Sequence, residues 1–191
     1  LQTIKLVFEW LEKSVKTADP EAREKMHNAS TMAGMAFANA FLGMSHSMAH
    51  KIGGVHHTVH GRTNAILLPY VIRYNGTRPS KTTTWPKYNY WKADEKFQDI
   101  AKMLGLPHST PEEAVEAYAK AVYELGVAVG IKMNFKDQGI DEKAWKDSLH
   151  EIALLAYEDQ CSPANPRLPM VADMEEIMAD AYYGYAERPG R

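Results

Sequence analysis

The sequence contains a single cysteine, Cys161, among its 191 residues. An internal disulfide is therefore impossible, and a reducing compartment, the cytoplasm, fits this composition. The histidine-rich region also lacks the paired thiolates that would complete a structural zinc finger. These absences exclude a disulfide-stabilised scaffold and argue against a zinc-finger module.

Strong charge, long apolar runs and nucleotide motifs are also missing. The formal net charge is −2 and the pI is about 6.5, so bulk charge does not attract nucleic acid or anionic membranes. Polar residues, Asn28 and Asn39 among them, interrupt the small-residue stretch before Ala49, which argues against a transmembrane helix. No signal peptide, G-x-G-x-x-G motif or P-loop lysine can be identified. We therefore expect neither a nucleic-acid nor a membrane partner.

Strand-type alternation is absent, and helical periodicity takes its place. Apolar residues recur at helical spacing over residues 1–15. Asp19-Pro20 and Thr110-Pro111 are typical helix starts, with a polar N-cap before a proline, and Asp141 is a third N-cap. The sequence predicts an all-α fold, a multi-helix bundle of seven to nine helices, forming a single domain over residues 1–191.

Three segments have particular interpretations. Residues 20–49 are rich in Ala, Gly, Ser and Met, which let helix backbones approach closely, and we interpret them as a buried central helix or a bent pair of helices. Residues 64–74 are predicted to be helical, with Pro69 bending or restarting the helix. Residues 76–93 carry several aromatics and are interpreted as a surface loop docked on the domain or as a subunit contact.

Five of the eight histidines fall within residues 46–60. His46 and His50 are four residues apart, so both project from one face of a helix. Gly53-Gly54 is expected to end that helix, and His60 opens the next apolar segment after a short turn. A histidine before a turn and another after it can converge on one point, which is the geometry a metal site needs.

A histidine cluster does not by itself establish a metal site. Imidazole titrates near neutrality and often lies in cores or at helix ends without a catalytic role. We interpret His56 and His57, in the presumed turn, as exposed loop residues. Cys161 is expected to be a buried structural thiol, with the lining of a substrate pocket as the alternative.

The run from Asn28 to His50, followed by His60-Gly61-Arg-Thr-Asn64-Ala-Ile-Leu-Leu-Pro69, closely resembles the iron-dependent (group III) alcohol dehydrogenases. This run is similar in particular to the alcohol dehydrogenase part of the bifunctional aldehyde–alcohol dehydrogenases. The same subgroup is resembled by a closing motif near the end of the chain, Asp159-Gln-Cys161-Ser-Pro-Ala-Asn165-Pro-Arg167. The resemblance covers nearly the whole chain. It implies the C-terminal helical domain of a dehydroquinate synthase-like, or iron alcohol dehydrogenase, fold.

The resemblance also implies roles for three histidines. His46 and His60, fourteen residues apart, would be metal ligands. His50 would lie beside the nicotinamide, contribute to cofactor binding and act catalytically in proton transfer. The implied cofactors are Fe²⁺, with Zn²⁺ also acceptable, and NAD. The implied substrates are short primary alcohols and aldehydes, of the acetaldehyde and ethanol type.

The remaining family ligands have no match before His46. The family takes an aspartate and a further histidine from an upstream Asp-x3-His helix, whereas Asp19 is the only earlier aspartate here and Arg23 stands four residues after it. Leu1 already lies inside a periodic segment. We therefore expect a C-terminal portion with half a metal site and no nucleotide-binding domain, catalytically inactive alone. Its exposed apolar residues within 32–44 should make it self-associate or depend on the upstream half.

Two other functions remain open. The chain can be read as a non-catalytic assembly module, since the bifunctional relatives polymerise into helical filaments, and a homo-oligomer is expected for the longer protein. It can also be read as a plain metal-binding helical domain without redox chemistry.

Overall fold

The architecture is taken from a computed structural model that describes residues 1–79 and 91–184. Those residues contain no strand, which confirms the predicted all-α class, and no helix with the length and apolar content needed to cross a membrane. Their helices are α1 (Gln2–Thr17), α2 (Pro20–Ala40), α3 (Met44–His56), α4 (His60–Gly76), α5 (Ala93–Met103), α6 (Pro111–Ala128), α7 (Glu142–Tyr157), a 3₁₀ helix (Ser162–Ala164) and α8 (Val171–Tyr183).

The predicted helix starts are confirmed by side-chain caps. Asp19 Oδ1 accepts the backbone N–H of Ala22 at 2.9 Å, and Thr110 Oγ1 accepts that of Glu113 at 3.2 Å. Asp141 caps α7 in the same way. Each cap satisfies a backbone donor that has no partner within its own helix.

The apolar core consists of two clusters that share α4. The larger cluster joins α3, α4, α7 and α8, with Met48, Leu67 and Ile152 among its buried members. The smaller cluster joins α4 to α5 and α6 through residues such as Ile72 and Tyr118, and α1 packs on it. Pro69 is buried within a continuous α4, so the helix does not restart there. The central helix of the described residues is therefore α4.

The predicted helix end at Gly53-Gly54 is wrong. Helix α3 continues through both glycines to His56, and His57 ends it in the left-handed conformation with φ 54°. A glycine inside a helix costs only about 1 kcal/mol relative to alanine. Burial of Met48 and Ile52 on the same helix outweighs that cost.

Residues 20–49 are divided between two helices, α2 and the first half of α3, as in the second of the two predicted arrangements, a pair of helices. The predicted burial holds for α3 but is wrong for α2, where only Ala22 and Ala29 are buried. The side chains of Met35 and Phe37 are 65% and 48% exposed. Helix α2 packs against α1. The small side chains of α2 allow another helix to approach closely, but they do not determine which helix does so or how much of α2 is buried.

The aromatic segment interpreted as a docked loop or a subunit contact lies mostly outside the described residues. Trp91, at its end, is described, and its indole N–H donates to the backbone oxygen of Asn75 at 3.1 Å. The tail beyond Gly184 also lies outside the described residues.

Candidate metal and proton-transfer site

The three histidines singled out in the sequence converge in the structure. His46 and His50 project from α3, and His60 is the first residue of α4. The ring centroids of His46 and His60 are 5.3 Å apart, those of His50 and His60 are 5.4 Å apart, and those of His46 and His50 are 6.2 Å apart. The turn between the two helices therefore brings both sides of the histidine motif to one place.

His46 is the more buried end of this cluster. Burial lowers the pKa of its imidazole, and the neighbouring His60 and His50 lower that pKa further. A lowered pKa favours the neutral imidazole, whose free nitrogen lone pair is what binds a metal ion.

His60 is tied to α3 through Asn64. The Asn64 Nδ2 lies 3.2 Å from His60 Nε2 and 3.2 Å from the His60 backbone oxygen, and Asn64 Oδ1 accepts the Ser45 hydroxyl at 3.0 Å. Because Ser45 adjoins His46, this amide couples the two helices at the site. In this arrangement the Asn64 amide is the donor and His60 Nε2 is the acceptor, which fixes the position of the His60 ring.

His50 is held by Asp159, which belongs to the closing motif. His50 Nδ1 lies 3.2 Å from Asp159 Oδ2, and Lys51 Nζ lies 3.0 Å from the same oxygen. The backbone N–H of Cys161 donates to Asp159 Oδ1 at 3.0 Å. Burial would raise the pKa of Asp159, but the hydrogen bonds from Cys161, Lys51 and His50 outweigh it and hold that pKa well below its ordinary value.

Sequence reasoning assigned no role to Asp159 or Lys51. In the sequence, Asp159 is the first residue of the closing motif, two residues before Cys161. It lies 109 residues from His50 in the chain, so no local spacing could pair them. The only available signal was the carboxylate within that motif.

Cys161 is buried, as predicted, with 1% of its surface exposed. Burial raises the pKa of its thiol, and the hydrogen bond to Asp159 adds to the effect. The thiol therefore stays protonated near neutral pH, which fits a structural role better than nucleophilic chemistry.

The closing motif also fixes the start of α3. Asn165 Oδ1 accepts the backbone N–H of Met44 at 3.2 Å and the Asn75 amide at 3.3 Å. Asn165 Nδ2 donates to Asn75 Oδ1 at 2.7 Å. A side-chain Cβ at Gly43 would lie 2.8 Å from Asn165 Oδ1. Glycine at this position therefore lets the asparagine reach the helix N-terminus that carries His46.

The prediction that His56 is an exposed loop residue is wrong. It lies in the last turn of α3. Its ring stacks on that of Trp145, with 5.2 Å between the ring centroids, and its Nε2 lies 3.0 Å from Ser148 Oγ. Burial lowers the pKa of His56, and His57 lowers it further. His57 is exposed, as expected, but it ends the helix instead of lying in a longer turn.

The helical fold and the histidine cluster agree with the family assignment. The family model described as "Fe-containing alcohol dehydrogenase family, C-terminal" matches residues 1–182. The chain belongs to the iron-containing alcohol dehydrogenase family and corresponds to its C-terminal helical part. The family resemblance found in the sequence is thus confirmed.

Within this family, similar relatives include two aldehyde-alcohol dehydrogenases. The chain is 79% identical over 191 residues to an aldehyde-alcohol dehydrogenase of Streptococcus pneumoniae, covering 100% of this chain and 22% of the relative. It is 60% identical over 185 residues to aldehyde-alcohol dehydrogenase 2 of Entamoeba histolytica, and this match covers 97% of this chain and 21% of the relative. The chain thus spans about a fifth of the length of these relatives.

Among solved structures, the fold is similar to that of a 1,3-propanediol oxidoreductase. The TM-score is 0.79 at 33% identity, and the match covers 95% of this chain and 44% of that one. The predicted C-terminal helical fold of an iron alcohol dehydrogenase is confirmed.

Proposed function

We propose that this chain is the metal-binding part of an NAD-dependent, iron-containing alcohol dehydrogenase that interconverts short primary alcohols and aldehydes. The full protein would be the bifunctional enzyme that reduces acetyl-CoA to ethanol, with residues 1–191 as one helical domain of its alcohol dehydrogenase half. The observation that carries the proposal is the convergence of His46, His50 and His60 in a chain of this family. A single buried cysteine without a disulfide supports a cytoplasmic location.

His46 and His60 are the proposed metal ligands. Their rings are neighbours, and the lowered pKa of His46 supplies the neutral imidazole that Fe²⁺ or Zn²⁺ accepts. The other ligands would come from the rest of the longer protein. When bound, the metal would polarise the alcohol or carbonyl oxygen and NAD would exchange the hydride.

A second group of possible ligands is less suited to a cation. Among the described residues, the ligand atoms of His50, Asp159 and Cys161 lie within 4.8 Å of one another. The Lys51 ammonium already neutralises the Asp159 carboxylate there, and the raised pKa of Cys161 keeps its thiol protonated. Both features disfavour a divalent ion, so the pair His46 and His60 is the better site.

His50 is the proposed proton relay and nicotinamide neighbour. Its side chain is 34% exposed, so it connects the histidine cluster with solvent. Asp159 occupies its Nδ1, which leaves Nε2 to take the proton released when the alcohol is oxidised.

Replacement of His50 in the full-length enzyme tests this function. We expect His50→Ala to keep its metal and to lower kcat for ethanol oxidation with NAD by about 10²–10⁴-fold, because general acid–base catalysis contributes that much. A full-length, iron-loaded wild-type protein that fails to oxidise ethanol would contradict the proposed reaction. An unchanged kcat in His50→Ala would contradict only the relay.

The second candidate, an assembly module, is supported by a different observation. Helix α2 and the residue after it expose four large apolar side chains: Met32, Met35, Phe37 and Phe41. Apolar surface of this kind favours contact with another polypeptide. We propose that this face is covered in the longer protein, and that the longer protein forms a homo-oligomer or filament.

A further inference from the structure

Asp159 is more firmly fixed than a carboxylate in a simple surface ion pair. Its side chain is 8% exposed, and both of its oxygens have partners. One oxygen faces His50 and Lys51, and the other accepts the backbone N–H of Cys161. Three donors from two separate parts of the chain therefore determine the position of this carboxylate.

The fixed carboxylate determines which nitrogen of His50 carries hydrogen. The hydrogen bonds around Asp159 keep it ionised, so it has no hydrogen to donate and His50 Nδ1 must be the donor. In the neutral ring, Nε2 is then the nitrogen with the free lone pair. The ring is also held nearly parallel to that of His60, with 14° between the two planes.

We infer that Asp159 is a positioning residue for His50, selecting the tautomer with hydrogen on Nδ1 and fixing the ring angle. Lys51 and the Cys161 N–H in turn hold Asp159. This inference rests on the proposed function, because it gives Asp159 its role through the relay histidine. A buried carboxylate that orients a catalytic imidazole contributes to rate through geometry and tautomer.

The competing explanation is a purely structural tie. Asp159 follows the end of α7 and contacts α3, so it also joins two elements of the larger core cluster. The two explanations differ in one respect. A positioning residue acts only while His50 is present, whereas a tie acts on the fold whether or not His50 is present.

A double-mutant cycle in the full-length, metal-loaded enzyme separates them. The variants are Asp159→Asn, His50→Ala and their combination, with kcat and KM for ethanol, metal content and thermal unfolding midpoint measured for each. We expect Asp159→Asn to lower kcat about 10–100-fold, with KM and metal content little changed. In the His50→Ala background, Asp159→Asn should lower kcat no further.

Two more variants complete the design. Asp159→Glu keeps a carboxylate, so it should recover part of the lost kcat and also serves if Asp159→Asn folds poorly. Glu175→Gln is the matched control, because Glu175 accepts from His150 Nδ1 at 2.5 Å in an exposed pair between α7 and α8. It breaks the same type of contact away from the site and should leave kcat unchanged.

The possible results are distinct. Equal loss of kcat from Asp159→Asn in both backgrounds would overturn the positioning role and leave a structural tie. An unchanged kcat in Asp159→Asn would overturn it as well. If His50→Ala alone retained full kcat, the relay in the proposed function would fail first, and the positioning role with it.

Discussion

At the scale of single residues, the environment of His46 favours its uncharged imidazole. His46 lies in a half-buried position beside two further imidazoles, and both burial and those neighbours oppose its protonation. A metal ion competes with protons for the same lone pairs, so a site that disfavours protonation favours the metal. Asp159 differs from His46 in this respect, because the environment of Asp159 favours its charged form.

Asp159 should also make stability depend on pH. Burial opposes its ionisation, but its hydrogen bonds hold the pKa in the folded protein below the value of about 3.9 expected for an unfolded chain. The unfolded state therefore binds the proton first as pH falls. The resulting stabilisation is fully present above about pH 5 and is lost as pH falls towards the folded-state pKa.

We expect Asp159→Asn to lower the free energy of unfolding at pH 7 by about 1–3 kcal/mol, because charged hydrogen bonds are lost. Between about pH 5 and pH 2 its stability should fall less steeply than that of the wild type. Urea denaturation followed by tryptophan fluorescence over this pH range measures both effects. If the free energy of unfolding depended on pH in the same way in both proteins, Asp159 would not be the source of this pH dependence.

At the scale of elements, α3 determines the site because it carries two of the three histidines. Its N-terminus has no side-chain cap from its own N-cap residue, Gly43, and Asn165 supplies the missing acceptor from the closing motif. The start of the helix is thus fixed by a residue more than a hundred positions later in the chain.

Two glycines of this region should respond in opposite ways to alanine. Gly43→Ala places a methyl group 2.8 Å from Asn165 Oδ1, so the amide must shift, and we expect a loss of about 1–3 kcal/mol in stability. Gly54 is an exposed position inside α3, and nothing lies within 4 Å of the methyl group that Gly54→Ala would add. We expect Gly54→Ala to raise the free energy of unfolding by about 0.5–1 kcal/mol. Chemical denaturation of both variants tests the pair, and equal effects would contradict the role of Gly43.

The same helix shows which features the sequence could predict. N-caps depend on neighbouring residues, so Asp19 and Thr110 were identified correctly. The end of α3 depends on tertiary packing, which carried the helix past Gly53-Gly54, and the exposure of α2 likewise depends on what surrounds it. The convergence of His46 and His60 was expected from the motif, but the link from Asp159 to His50 required the fold.

At the scale of the whole molecule, the two core clusters meet at α4, while α2 lies to one side against α1. This arrangement leaves α2 with a largely exposed apolar surface. Under the proposed function, His46 and His60 would supply two metal ligands, and the others would come from the rest of the longer protein.

We therefore expect the isolated 1–191 polypeptide to oxidise no ethanol with NAD and to self-associate. Replacing Met35 and Phe37 with lysine should reduce the association, because both side chains lie on the exposed surface of α2. Val127→Lys, at a 51% exposed position on α6, is the control. Sedimentation velocity over a range of concentrations measures the effect. A monomeric wild-type polypeptide, or equal effects of all substitutions, would contradict the role of α2.

The most direct test of the proposed site is the iron content of the full-length protein after purification and loading with Fe²⁺. Wild type, His46→Ala, His60→Ala and His57→Ala should be compared, with circular dichroism to confirm that each is folded. His57 is the matched control because it is an exposed histidine at the end of the same helix. We expect His46→Ala and His60→Ala to lose bound iron while His57→Ala retains it. Full iron occupancy in both His46→Ala and His60→Ala would contradict the assignment of these two histidines as metal ligands.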